Sequence, residues 1–306
     1  MRKNFKYFTC ALLTGLQLVF MAEAALAKSP QDIQIMVNKD SVNTDVAAYI
    51  DHGTTMVPLH VVQKIPGIQV TWNNANKTVT IKREDATIQL VAGQKTASVG
   101  DKKINLPAAS TLKKGRVMVP LRFVAESAKA YVNWNPYTRE VYVVKATPAM
   151  TEKTKSANLA EARKATLNLP TVQTLKPITE IKEEFISDHT YYFPEGRADQ
   201  VFRTTGSGIE YLEAVDGRLE QKWLARLGAK GAKGPFFLTG RIEEEVGKRP
   251  EITADRVVYF RTFWKIGSAE YGFIDQNGKV TTLGQHEMPS SYEFFEVPGE
   301  NAKTLR

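Results

Sequence analysis

Apolar residues recur at helical spacing after Pro120. Leu121, Val124, Ala125 and Ala128 would form one face of a short helix. Proline is favoured in the first turn of a helix because its missing N–H needs no partner there. The pattern therefore predicts a helix that begins near Pro120 and buries one side.

Strand patterns flank this helix. Before it, the stretch ASVGDKKIN is typical of two strands joined by a turn at Gly100-Asp101. After it, Val132 and Trp134 alternate with polar or aromatic neighbours, and the β-forming stretch REVYVV follows a turn at Pro136. Together these patterns predict a unit of strand, strand, helix, strand, strand.

The same unit occurs twice. Residues 53–81 align without a gap with residues 115–143, which lie 62 positions further along, and ten of the 29 aligned residues are identical. Extending the alignment backwards gives repeats over residues 35–81 and 97–143. Because so short a unit buries too little surface to be secure alone, we expect the two repeats to pack together into one domain.

The stretch VPLRFVAESAKAYVNWNPYTREVYV resembles the copper amine oxidase N-terminal-like domain, also called the stalk domain, of exported proteins in Gram-positive bacteria. The resemblance covers about residues 30–147 and implies an antiparallel sheet curled around helix, used as a non-catalytic accessory module. The first copy departs from the motif at His60, where the motif has arginine as at Arg122, and at Pro66-Gly67. We therefore expect an α+β fold, with a two-repeat antiparallel sheet packed on helices over residues 28–147.

The oxidase activity of that family does not carry over. Its chemistry belongs to a separate catalytic domain, with a cofactor tyrosine in an Asn-Tyr-Asp/Glu motif and a His-x-His pair on copper. This sequence contains neither an Asn-Tyr dipeptide nor a His-x-His motif.

The rest of the chain has a different character. Residues 148–170 begin as a polar linker and become helix-prone around Ala157 to Leu167. Residues 171–306 are richer in aromatic and β-forming residues, with hairpin turns predicted at Asp216-Gly217 and Asn277-Gly278. We expect a β-rich C-terminal domain.

The first 27 residues have a basic start, an apolar centre and a small-residue ending at Ala25-Leu26-Ala27. This pattern is typical of a secretory signal peptide, and the alternative is an uncleaved anchor. Cys10, the single cysteine, lies in this segment. The mature chain would then have no disulfide, thiolate metal site or cysteine nucleophile, and no transmembrane segment is predicted in it.

Charge gives a weak indication of partners. Without residues 1–27 the formal net charge falls from +8 to +6, because three basic residues and one acidic residue are removed. In an exported protein such an excess points to anionic envelope polymers or membrane surfaces before nucleic acid. A merely solubilising surface is the alternative.

The glycine-rich stretch GAKGAKGP, from Gly228 to Pro235, is the candidate anion site. Its backbone N–H groups and the charges of Lys230 and Lys233, with Arg226 and Arg241 on either side, would surround an anion. The stretch lacks the Gly-Lys-Ser/Thr ending of a nucleotide-binding loop. The alternative interpretation is a flexible exposed loop.

No catalytic residue, metal site or cofactor is predicted. The spacing of the four histidines is not that of a local metal site: they are His52, His60, His189 and His286. Whether two carboxylates of the C-terminal region face each other across a cleft, as glycoside hydrolysis requires, stays open. Trp72 and Trp134 occupy equivalent places, which favours a structural role over carbohydrate stacking.

Two functional hypotheses follow. The first is an exported, non-catalytic cell-envelope binding or structural protein, secreted or associated with the cell wall, whose partner is an anionic wall polymer or another envelope protein. The alternative is a secreted hydrolase of glycan or peptide with its site in the C-terminal domain.

Overall fold

The structure is a computed structural model, and it describes residues 32–181, 189–263, 267–287 and 294–300. The predicted signal peptide and Cys10 lie outside these residues. Residues from Asp32 onward form one compact unit. The described residues are rich in strand, with 49% of them in strands and 11% in helices.

Residues 32–147 form short strands and two short helices. The helices are α1 (Leu59–Val62) and α2 (Leu121–Ser127). The strands are β1 (Gln34–Val37), β2 (Asp40–Ser41), β3 (Tyr49–Asp51), β4 (Thr54–Pro58), β5 (Gln69–Asn73), β6 (Thr78–Arg83), β7 (Ala86–Val91), β8 (Thr96–Val99), β9 (Lys102–Asn105), β10 (Thr111–Lys113), β11 (Arg116–Pro120), β12 (Tyr131–Asn135) and β13 (Glu140–Val144).

Elements of the two aligned stretches begin at the same offset of 62 residues. Strand β4 begins at Thr54 and β11 at Arg116, while α1 begins at Leu59 and α2 at Leu121. The unit predicted from sequence lacked the hairpin that precedes each helix, which is β3-β4 in the first stretch and β10-β11 in the second, because strands of three to five residues are too short to show a clear period. Strand β7 has no counterpart and lies between the two stretches.

These strands form three sheets, not the single antiparallel sheet that was predicted. Their orders are β12-β13-β1-β2, β10-β11-β4-β3 and β5-β6-β7-β8-β9. Strands β1 and β13 pair in parallel, which corrects the expectation of purely antiparallel pairing. Parallel pairing is possible here because these strands open and close the domain, so that the intervening chain supplies the long crossover.

The core of this region draws on both halves. Buried side chains of α1, such as Val61 and Val62, share one cluster with Leu121, Val124 and Ala125 of α2. The apolar face predicted for α2 is therefore confirmed. Helix α1 is shorter than α2 and ends before the predicted stop at Pro66-Gly67.

The remaining described residues form two helices and one large sheet. The helices are α3 (Pro148–Thr154) and α4 (Leu159–Leu167). The strands are β14 (Thr171–Val172), β15 (His189–Pro194), β16 (Gln200–Thr205), β17 (Gly208–Val215), β18 (Arg218–Gly228), β19 (Ala232–Lys233), β20 (Arg241–Gly247), β21 (Arg256–Phe263), β22 (Ser268–Asp275) and β23 (Val280–Glu287). The order is β19-β20-β18-β17-β16-β15-β21-β22-β23, and β14 pairs with β18.

The segment predicted to begin as a linker is packed helix. Residues 148–154 form α3, with Pro148 in its first turn, and Asn158 caps α4 by accepting a hydrogen bond from the Glu161 N–H. The aliphatic residue Leu167 then contacts the core of the large sheet. The predicted domain boundaries stay a prediction.

The large sheet is covered on both faces. Neighbouring residues of β15 point to opposite sides, since Phe193 joins a cluster with Leu169 and Phe294 whereas Tyr192 stacks on Phe237. The hairpin predicted at Asp216-Gly217 joins β17 to β18, and both residues have the positive φ of a type I′ turn.

Candidate functional site

Two grooves lie at opposite edges of the sheet β10-β11-β4-β3. The Trp134 groove has a volume of about 400 Å³ and is lined by Ile50, Gly53, Thr54, Thr55, Pro107, Pro120, Leu121, Arg122, Phe123, Glu126, Val132, Trp134 and Val141. The Trp72 groove has a volume of about 610 Å³ and is lined by Asn43, Asp45, Leu59, His60, Gln63, Trp72, Asn74, Leu112, Gly115, Arg116 and Val117.

The two grooves are built from equivalent positions. Eight lining residues of one groove stand 62 positions from a lining residue of the other: Ile50 and Leu112, Gly53 and Gly115, Thr54 and Arg116, Thr55 and Val117, Asp45 and Pro107, Leu59 and Leu121, His60 and Arg122, and Trp72 and Trp134. Each groove combines a hairpin of one aligned stretch with the helix and tryptophan of the other. Neither groove is complete within one stretch.

Each tryptophan lies on an outer strand of its sheet. Trp72 of β5 stands opposite Val79 of β6, and Trp134 of β12 stands opposite Val141 of β13. Both indoles are half-buried and pack against the core while also lining a groove. The structural role that the sequence favoured and an exposed stacking surface are therefore compatible at both positions.

The chemistry of the two linings differs. In the Trp134 groove, Ile50 is 52% exposed and Phe123 is half-buried, so most of the surface is apolar. Its charged side chains, Arg122 and Glu126, are both exposed. The Trp72 groove instead contains several side chains that can donate or accept hydrogen bonds.

Hydrogen bonds hold the polar side chains of the Trp72 groove. The Arg116 guanidinium donates from Nε to Asp45 Oδ2 over 2.6 Å, and this bond lowers the pKa of the Asp45 carboxyl. The ring Nε2 of His60 lies 3.3 Å from the Asn43 carbonyl oxygen, and the amide of Gln63 donates to the Val70 carbonyl. The site thus combines a tryptophan with fixed polar groups and a charge-compensated ion pair.

The region that carries both grooves has a recognisable family. Residues 36–143 match the copper amine oxidase N-terminal domain. This confirms the resemblance seen in the sequence, and that domain is non-catalytic in copper amine oxidases. No curated protein matches the chain in sequence.

Outside residues 36–143, the four predicted anion-binding residues lie on neighbouring strands and the loop between them. Arg226 lies on β18, and Lys233 of β19 stands opposite Arg241 of β20. Lys230 lies in the loop between β18 and β19, and the Arg241 guanidinium donates to the Gly231 carbonyl over 3.0 Å. We call residues 226–243 the glycine-rich arm.

A carboxylate of the chain itself already occupies this arm. Glu243 Oε2 lies 2.5 Å from Arg226 Nη1, and Glu243 Oε1 accepts the backbone N–H of Lys230 over 3.3 Å. These contacts, with the Lys230 N–H first, hold the pKa of Glu243 below its usual range. An external anion at these residues stays a prediction, and it would compete with Glu243. The glycine spacing alone did not indicate this internal partner.

The histidines lie apart from one another. His52 contacts Asp51, His60 lines the Trp72 groove, His189 bonds to Thr205, and His286 stacks on Tyr271. Within the described ranges, no group of three or more His, Cys, Asp and Glu side chains is placed to hold a metal ion. No helix in the described part of the chain is long and apolar enough to cross a membrane.

A third cavity, of about 370 Å³, lies where Asn135 meets the large sheet. Glu210 in its wall is ion-paired with Arg203 and accepts a hydrogen bond from the Gln221 amide over 2.8 Å. Glu210 is the one carboxylate among the described lining residues of this cavity. An acid and base pair for glycan hydrolysis needs two.

Proposed function

We propose that the protein is an exported, non-catalytic binding protein of the cell envelope, with an N-terminal domain made of two structural repeats. The observation that carries this proposal is the pair of equivalent grooves in a domain whose family is non-catalytic. Concave sites with an aromatic wall and a few polar groups are typical of binding sites.

Two features of the sequence support the envelope as the place of action. Residues 1–27 have the pattern of a secretory signal peptide. The rest of the chain carries a moderate positive charge, which suits an anionic wall polymer or an acidic envelope protein as the partner. The protein would then be secreted or associated with the cell wall.

The binding hypothesis is favoured over the hydrolase. Carboxyl groups of the described residues whose pKa is clearly shifted are all shifted downward, and each has a cationic partner: Asp45, Asp85, Glu220, Glu243 and Glu245. A general acid for hydrolysis needs the opposite shift. Among the described residues, no carboxyl group with a clearly shifted pKa qualifies as that acid, so the hydrolase remains the alternative hypothesis.

Export and wall binding are tested separately. The full chain is expressed in a Gram-positive host, and the N-terminus of the protein recovered from wall and medium is sequenced. We expect a chain that begins close to residue 28. Recovery only from the cytoplasm would contradict export.

Wall binding is tested by co-sedimentation of residues 28–306 with purified Gram-positive cell wall at low and high salt. We expect pelleting at low salt. If charge attraction dominates the binding, high salt should screen it and abolish pelleting. The variant with Lys230→Gln and Lys233→Gln measures the contribution of the glycine-rich arm. Failure of the unaltered chain to pellet at low salt would overturn wall binding.

A further inference from the structure

The Trp72 groove differs from the Trp134 groove because more polar side chains surround its tryptophan. Trp72 is half-buried on the outer strand β5, and its strand neighbours Gln69, Thr71 and Asn73 are exposed. An indole held in this way offers a fixed apolar surface at low entropic cost, because its position is set by the core contacts.

The groove also offers both donors and acceptors. The amide side chains of Asn43, Gln63 and Asn74 each carry an N–H₂ donor and a carbonyl acceptor, and the His60 ring adds a nitrogen that serves as either. Two of these amides are fixed by the chain itself, since Gln63 donates to the Val70 carbonyl and Asn74 Oδ1 accepts from Lys77 Nζ over 2.8 Å. Sugar hydroxyl groups both donate and accept hydrogen bonds, and the C–H faces of pyranose rings are apolar. A tryptophan surrounded by amides matches both properties at once.

The ion pair on the wall of this groove does not favour a strongly anionic ligand. Arg116 and Asp45 form an ion pair with 2.5 Å between Nη2 and Oδ2, so the charges of the pair compensate each other. An acidic polymer would meet the Asp45 carboxylate beside the cation that attracts it. The lining therefore fits an uncharged ligand, in contrast to the glycine-rich arm.

The Trp134 groove is built from equivalent positions without these groups. At the positions of Asp45, His60 and Arg116 it has Pro107, Arg122 and Thr54. Because the Trp134 groove has the equivalent tryptophan but different polar groups, it serves as an internal control.

We propose that the Trp72 groove binds the sugar rings of an uncharged glycan strand. This proposal rests on the proposed function only in taking the cell wall as the source of that strand. Ring stacking on Trp72 would supply the apolar contact, and the amides of Asn43 and Asn74 would select hydroxyl or acetamido groups.

The test is isothermal titration of residues 28–306 with two uncharged probes, an N-acetylglucosamine hexamer and cellohexaose. We expect binding of at least one probe, with an affinity that changes little between low and high salt. Trp72→Ala should weaken that binding by about tenfold or more, whereas the matched Trp134→Ala should leave it nearly unchanged. Asn74→Ala, a change at an exposed residue, should weaken binding without affecting the fold.

The outcomes separate this inference from the proposed function. No heat of binding with either probe at millimolar concentration overturns the glycan site, even where the chain still pellets with wall. Probe binding that survives both Trp72→Ala and Asn74→Ala also overturns it. Binding of an extended uncharged peptide, lost in Trp72→Ala when neither sugar binds, would assign the groove to a polypeptide and overturn the proposal. Probe binding without wall pelleting would support the glycan site and count against the envelope proposal.

Discussion

Val57 of β4 and Val119 of β11 lie directly opposite each other in an antiparallel pair, although they are 62 residues apart in the chain. On either side, Met56 pairs with Pro120 and Pro58 with Met118, so each contact is repeated with the two stretches exchanged. This exchange is the pattern of a two-fold relationship. It explains why each groove takes its hairpin from one stretch and its tryptophan from the other.

The two valines should be energetically equivalent. Both are fully buried in the shared core, so Val57→Ala and Val119→Ala should each lower the free energy of unfolding by about 2 kcal/mol through lost burial and a small cavity. Urea denaturation measures the change. Val280→Ala, at a position that is 50% exposed, is the control.

The double variant gives the sharper test. Because the two residues face each other, the combined change should differ from the sum of the single changes by about 0.5 kcal/mol or more. Strictly additive changes in the free energy of unfolding would contradict a shared packing of Val57 and Val119. Single changes that differ greatly from each other would contradict their equivalence.

A buried ion pair joins α4 to the far end of the described chain. Arg163 is fully buried, Glu300 is 2% exposed on its side chain, and the guanidinium contacts both carboxylate oxygens. Arg163 also donates to the Arg197 carbonyl over 3.1 Å and lies over the Phe193 ring. Removing one partner would leave the other charged and buried.

Either single change should therefore be costly. We expect Glu300→Gln and Arg163→Met each to lower the free energy of unfolding by about 3–5 kcal/mol, and the double variant that combines Arg163→Met with Glu300→Leu to cost less than the sum. Chemical denaturation gives the values, and Glu296→Gln at an exposed hydrogen bond is the matched control. Loss of under about 1 kcal/mol in both single variants would show that water reaches the pair.

Parts of this fold were predictable because the signals are local. The turn at Gly100-Asp101, the hairpin at Asp216-Gly217 and the buried face of α2 each depend on residues that are near one another in sequence. By contrast, the parallel pairing of β1 with β13 joins strands at opposite ends of the domain. No local period specifies such a partner.

The site, like the fold, was predictable only where its signals are local in the sequence. The matching tryptophans were visible in the alignment, but the groove around Trp72 includes Leu112 and Arg116 from the other aligned stretch. Their proximity follows from the pairing of β4 with β11. Likewise, the loop around Lys230 could be predicted as a candidate anion site, whereas the contact of Glu243 with this loop depends on the register of β18 with β20.

The change Gly231→Ala tests how tightly the glycine-rich arm is packed. The control is Gly100, which lies in the turn between β8 and β9. Gly231 has a φ of +107°, and a Cβ there would collide with the backbone carbonyl of Ile242. Gly100 has a φ of +58° with open space around it. Gly100→Ala should cost about 1 kcal/mol from backbone strain alone, and Gly231→Ala should cost roughly 1–3 kcal/mol more because the backbone must shift. Equal costs by urea denaturation would mean that the arm is loosely held.

Glu243 makes the packing of the arm depend on pH. Its pKa is lowered by the Lys230 N–H and then by Arg226, so its contribution to stability is fully present above the unfolded value of about 4.3. That contribution is lost as the pH falls through the lower folded pKa.

Arg226→Gln should raise the pKa of Glu243 while leaving it below the usual value, because the Lys230 N–H remains. Carboxyl NMR titration follows the pKa directly, and Glu243→Gln should remove this part of the acid dependence of the unfolding midpoint. An unaltered Glu243 titration in Arg226→Gln would mean that the arm does not hold this ion pair in solution, and the external anion site predicted there would then be open.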